Sequence, residues 1–122
     1  MSWTRTSCTE SLLDFTALAE HAVIAHLRLS AGGFGTPTER QRLMELEHRL
    51  EQSIKKAGVG EFDGNEFGDG ECIWYMYGPD AEALYSAVQP IVREAATQAG
   101  SFVVKRRGAP GDPDAKEERI EL

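Results

Sequence analysis

The run Cys72-Ile-Trp-Tyr-Met-Tyr77 constrains the fold more than any other stretch of the chain. Six bulky residues in succession put apolar surface on both faces of an extended strand. Such a strand belongs inside a sheet, with another layer packed on it. The run is also punctuated at both ends. Gly68-Asp69-Gly70 marks a tight turn before it, and Gly78-Pro79-Asp80 marks a turn that ends in a good helix N-cap. Glu71–Tyr77 is therefore expected as a central strand.

The rest of the chain supplies the neighbours. His21–Ser30 alternates as a strand, with Val23, Ala25, Leu27 and Leu29 on one face and Ile24, His26 and Arg28 on the other. Glycines at 32, 33 and 35 break it. Thr36, Pro37 and Glu39 have the spacing of an N-cap, a first helical proline and a capping-box acid. Leu43, Leu46, Leu50, Ile54 and Ala57 then form one apolar stripe, and Gly58 stops the helix. Glu45/Arg49 and Glu51/Lys55 stand at i, i+4 and are expected to pair. Glu61–Phe67 reads as a short, acidic edge strand. A second helix carries Leu84, Val88, Ile91, Val92 and Ala95 inward; Pro90 predicts a kink or two short helices, and Gly100 closes it. Ser101–Arg107 is a strand, and Glu118–Leu122 alternates as its hairpin partner.

The order strand, helix, strand, strand, helix, strand is the split βαβ pattern of a ferredoxin-like α+β sandwich, here with an extra C-terminal strand. Residues 21–122 form this single domain. Residues 1–20 are expected as a short helix docked on the body, from the capping-box spacing of Ser7 and Glu10, or as an arm that orders on a partner.

Charge narrows the function. The 122 residues carry 13 Lys and Arg against 20 Asp and Glu, a net charge of −7. That balance argues against nucleic acid, which is held by clustered basic groups, and against an anionic membrane surface. No run approaches the ~20 apolar residues of a membrane span, and no secretory leader is legible. Two cysteines, Cys8 and Cys72, make neither a disulfide framework nor a zinc site, so a cytoplasmic location is expected.

The acidity is concentrated. Glu61, Asp63, Glu66, Asp69 and Glu71 fall within 11 residues that contain no Lys or Arg. Three uses of such a cluster are weighed. A hard cation would need converging oxygens, but Phe67 and Trp74 stand where an EF-hand loop requires ligands. General acid–base work would need burial, and these acids sit among glycines; in a regular strand Glu61 and Asp63 share a face and Glu66 opposes Glu71. A protein-binding patch needs only exposure, and is the preferred use. The glycines before Thr36 invite a phosphate loop, yet the Lys and Ser/Thr of that pattern are missing. Lys105-Arg-Arg107 is expected to pair with the acidic tail.

A second candidate surface follows from the topology. Helices on one side leave the other side of the sheet open, and His26, Arg28, Tyr75 and Tyr77 are expected there, with Ile73. The opposite parity would expose Cys72, Trp74 and Met76 instead. Tyr and Arg are enriched at interfaces.

The block Gly60-Glu-Phe-Asp-Gly-Asn-Glu-Phe-Gly-Asp-Gly-Glu71 with Tyr75-Met-Tyr-Gly-Pro-Asp-Ala81 resembles a group of small bacterial proteins of uncharacterised function. The likeness runs from the first strand to Leu122. It implies a compact cytoplasmic domain and brings no activity, cofactor or catalytic residue. The expected function is thus a non-enzymatic interaction or regulatory domain, homodimeric through the sheet face or an edge, whose acidic surface suits a basic protein partner. Immunity proteins that neutralise basic nuclease toxins are an analogy of charge and size. The alternatives are a dimeric α+β barrel enzyme or ligand binder with a pocket of several hundred Å³ on the sheet face, and a divalent-cation binder.

Overall fold

A computed structural model of the chain describes residues 20–30, 32–108 and 113–122. The helix or arm expected over residues 1–20 lies outside them, Glu20 apart, as does Cys8. The described elements are β1 (His21–Arg28), α1 (Pro37–Ala57), β2 (Glu61–Gly68), β3 (Glu71–Gly78), α2 (Ala81–Ala95), β4 (Phe102–Arg107) and β5 (Lys116–Glu121). The class is α+β: two helices and one five-stranded antiparallel sheet of order β2-β3-β1-β4-β5. No helix among the described residues is long and apolar enough to cross a membrane.

The doubly apolar β3 lies between β2 and β1, the interior place its sequence demands. Val23, Ala25 and Leu27 of β1, Cys72, Trp74 and Met76 of β3, and Val103 of β4 all point to one side. There they form a single core with Leu43, Leu46, Leu50 and Ile54 of α1 and the inward stripe of α2. Both helices thus cover the same face of the sheet.

Local chemistry sets the helix ends. Thr36 accepts the Glu39 N–H on its side chain, at 3.1 Å, and Gly58 ends α1 in the left-handed conformation. The Glu39 carboxylate does not fold back on Thr36. It accepts the Ser30 N–H (2.9 Å) and the Ser30 hydroxyl (3.1 Å), tying the end of β1 to the start of α1. Three helix expectations are corrected. Ala57 is exposed, because the stripe reaches the core's edge at Ile54. Arg49 does not pair with Glu45; it reaches Glu94 of α2 at 3.1 Å, where an inter-helix contact is geometrically open to it. Helix α2 is one helix through Pro90 rather than two short ones, and it stops at Ala95, not Gly100. The early stop lets Ser101 return to the sheet, where its hydroxyl accepts the Arg28 N–H at 2.9 Å and donates to Gln98 O.

Strand β2 contains a bulge. Phe62 pairs with Met76 and Gly64 with Tyr75, so Asp63 is an extra residue without an opposite number. Phe62 and Phe67 are five apart, a spacing that a regular strand would put on opposite faces. The inserted residue restores the phase, and both rings pack against the core. At the hairpin tip Asp69 (φ 52°) and Gly70 (φ 79°) are both left-handed, the signature of a two-residue turn of the primed type. The tip is held down: Gly70 donates to Gly33 O and accepts the Leu29 N–H, both at 2.9 Å.

Candidate functional site

Every strand sends alternate residues away from the helices, and these build an open face. Register fixes its rows. Tyr77 faces Ala22, Tyr75 faces Ile24, Ile73 faces His26 and Glu71 faces Arg28. Across the other edge of β1, Ala22 faces Arg106, Ile24 faces Val104 and His26 faces Phe102. His26, Arg28, Tyr75 and Tyr77 are therefore brought onto one face, as expected. The opposite parity does not occur, since Cys72, Trp74 and Met76 are fully buried. Burial pushes the Cys72 thiol up to about 12, helped by the Glu47 and Glu71 carboxylates, which leaves it a packing residue rather than a nucleophile.

The centre of the face is half-buried and mostly apolar: Ile24, Ile73, Tyr75, Phe102 and Val104. The His26 and Phe102 rings stack with centroids 4.5 Å apart, and the Arg119 guanidinium covers the Phe102 ring at 3.6 Å. This three-layer stack went unread in the sequence, because it needs the β1–β4–β5 register. Its signal was the alternation of Phe102 and Val104 with Val103, and of Arg119 with Ile120.

Charges lie around this centre. His26 Nδ1 stands 3.4 Å from Glu71 Oε1, and Arg28 Nη1 stands 3.9 Å from Glu71 Oε2. Arg106 turns its Nε to Gly108 O at 2.8 Å, and its Nη2 is buried without an acceptor. The two arginines of the inner strands are thus turned to the strand ends. The outer strands bring acids to both rims: Glu61 and Glu66 on β2, Glu117 and Glu121 on β5. Glu66 accepts the Tyr75 hydroxyl at 2.8 Å, and that bond to a carboxylate holds the phenol above its usual pKa. Burial first, and the Asp63 charge second, raise Tyr77 as well.

The acidic hairpin resolves into two groups. Glu71 is committed to His26 and Arg28, and Glu66 to Tyr75. Glu61, Asp63 and Asp69 are exposed and form no ion pair with a described residue. Of the paired carboxylates expected for acid–base work, Glu66 faces Ile73 rather than Glu71, and Asp63 is the bulged residue without an opposite number. Among the described residues no three His, Cys, Asp or Glu converge as a metal site. The Gly32–Gly35 loop is no anion cradle either, for a Cβ on Gly35 would already lie 2.8 Å from the Glu39 carboxylate.

The helix face carries its own ionic group. Lys105 is only 6% exposed, lies 2.8 Å from Glu82 and 3.7 Å from Glu118, and sits over the Tyr85 ring. Arg107 joins the same two carboxylates. Lys105 and Arg107 therefore pair with the acidic tail as expected, with Glu82 of α2 as an additional partner; Arg106, on the other face, does not. A groove of about 610 Å³ lies on the outer side of α1, lined by Pro37, Arg40, Gln41, Met44, Glu45 and His48, with none of the sheet-face candidates in its wall.

Comparison of the chain with family models, curated proteins and solved structures gave no match.

Proposed function

We propose that the chain is a non-enzymatic protein-interaction domain that docks its partner on the open sheet face, with the acidic β2–β3 hairpin as one rim. The observation that carries this reading is the half-buried aromatic and aliphatic centre that neither helix covers. Ile24, Ile73, Tyr75, Phe102 and Val104 make a contiguous surface of the composition found at the middle of interfaces, with His26 set between Ile73 and Phe102 and the carboxylates at the margin. Specificity on such a surface comes from the charges around it.

The strand order β2-β3-β1-β4 with crossover helices after β1 and β3 supports a ferredoxin-like fold extended by β5. The likeness to small bacterial proteins fits a cytoplasmic domain of this kind. A second copy is the poorer occupant of the face, because two such faces would bring carboxylate rims together.

Affinity capture with the full chain tests the reading. Wild-type protein is expected to retain a partner from its native cytosol, and the folded Ile73→Asp, Val104→Asp variant is expected to lose it. An identical captured set from both proteins would remove the face from the function.

A further inference from the structure

The open face has an apolar middle and acid on both sides. Viewed across the strands, Glu61 and Glu66 line the β2 side. Glu117 and Glu121 line the β5 side; Arg119 between them pairs with Glu121 at 2.5 Å and lies over the Phe102 ring. Between them the middle row runs Tyr75, Ile24, Val104. The arginines of the inner strands stand at opposite ends of this strip, Arg28 beside Glu71 and Arg106 against Gly108 O.

The dimensions select a shape. Neighbouring strands lie about 4.8 Å apart, so the two rims are separated by about 19 Å. An α-helix with its side chains is about 10–12 Å across, which covers β3, β1 and β4 and leaves each rim within reach of a long basic side chain. Strands of six to eight residues run about 20–26 Å, the length of a helix of about 13–17 residues. Lys and Arg flanks on such a helix would bury their stems on the aromatic margin and place their charges over the carboxylates.

Building on the interaction reading above, we propose that the occupant of this face is a cationic amphipathic α-helix of a partner protein. It lies along the strands with its apolar stripe on Ile24, Ile73, Tyr75 and Val104. Its basic flanks meet Glu61 and Glu66 on one side and Glu117 and Glu121 on the other. Residues 1–19 of the chain do not match this chemistry, because they hold one arginine against two acids. A second copy does not match it either, since its own face is acidic at both rims.

A labelled 16-residue Leu/Lys peptide of helical amphipathic spacing is the probe, titrated into the full chain and followed by fluorescence anisotropy. Binding is expected for this peptide and not for its Leu/Glu counterpart. Joint replacement Glu61→Gln, Glu66→Gln, Glu117→Gln and Glu121→Gln, all on exposed sites, is expected to weaken it by about tenfold or more. Ile73→Asp is expected to abolish it. Equal binding of a scrambled Leu/Lys peptide, no binding at all, or affinity indifferent to the four rim substitutions would each overturn the helix. So would a stable dimer by light scattering that the peptide leaves intact. If cytosolic capture depends on Ile73 and Val104 while the peptide fails, the interaction reading stands and the helix alone falls.

Discussion

The two faces of one sheet, built from the same strands in strict alternation, carry opposite chemistry. On the helix side, Val23, Ala25, Leu27, Cys72, Trp74, Met76 and Val103 are essentially sealed from water, and Glu47 and Lys105, which reach in beside them, both have partners. Glu47 accepts from Trp74 Nε1 (2.9 Å) and from Asn65 Nδ2 (2.8 Å), and Lys105 is held by Glu82. On the other side, Ile24, Ile73, Tyr75, Phe102 and Val104 are only partly buried; His26 and Arg119 lie on the Phe102 ring, and the other charged groups stand around the rest. The difference separates residues that hold the fold from residues that remain for recognition. Stability should concentrate on one face and tolerance on the other.

Trp74→Ala is the strongest challenge to that division. The ring is fully buried and donates to Glu47, so its removal is expected to cost about 3–5 kcal/mol, read as a fall in the urea midpoint. A loss below about 1 kcal/mol would mean that the helix face is not the structural one. Gly78→Ala comes next, at about 2 kcal/mol or more. A Cβ there would lie 2.2 Å from Val59 O, and the reciprocal position, Gly60, would bring a Cβ to 2.1 Å from Tyr77 O. Two backbones touch at this point, so neither side can yield.

Much of this division was legible in the sequence, for a physical reason. Alternation along His21–Ser30 and the uninterrupted Cys72–Tyr77 run specify which strands are interior, and the N-caps at Thr36 and Asp80 specify where helices start. Those are local rules. The face carrying His26, Arg28, Tyr75 and Tyr77 was also legible, because parity is local once the core residues are known. What escaped depends on pairing between distant segments. The capture of Glu39 by Ser30, of Arg49 by Glu94 and of Phe102 by Arg119 all follow from tertiary register. The β2 bulge is an intermediate case. The odd spacing of Phe62 and Phe67 announced it, but only to a reader already certain that both rings face the core.

Glu47 sharpens the comparison through pH. Burial raises its pKa above the ordinary value, against the opposing pull of its hydrogen bonds from Asn65 and Trp74. A carboxyl that holds its proton more tightly folded than unfolded contributes stability at low pH and loses it as pH rises from the unfolded value toward the folded one. Glu82 and Glu118 behave oppositely. Their partners Lys105 and Arg107 lower them, so their contribution is present above the unfolded value and is lost as pH falls through the folded one. Relative to wild type, Glu47→Gln should therefore gain stability as pH climbs through the range just above the ordinary carboxyl pKa. Denaturation curves at a series of pH values read the gap directly, and parallel stability profiles would show that burial of Glu47 has no such consequence.

The smallest expected effect falls on the open face. Ile73 lies between His26 and Glu66 in register and is partly in water. Ile73→Thr keeps a β-branched side chain on the strand and removes apolar surface that water already reaches. The cost should be about 1 kcal/mol or less, which for a domain of this size moves Tm by no more than about 5 °C. Met76→Thr, three positions along β3 and fully buried, should cost several times more. The ratio of the two is the quantity that matters. A ratio near one would mean that the open face is covered in solution, and the source of the cover can then be read from concentration: Tm that rises with protein concentration identifies a second copy. A large ratio leaves Ile73 and its neighbours as apolar surface without a structural duty, which is the condition a docking face has to meet.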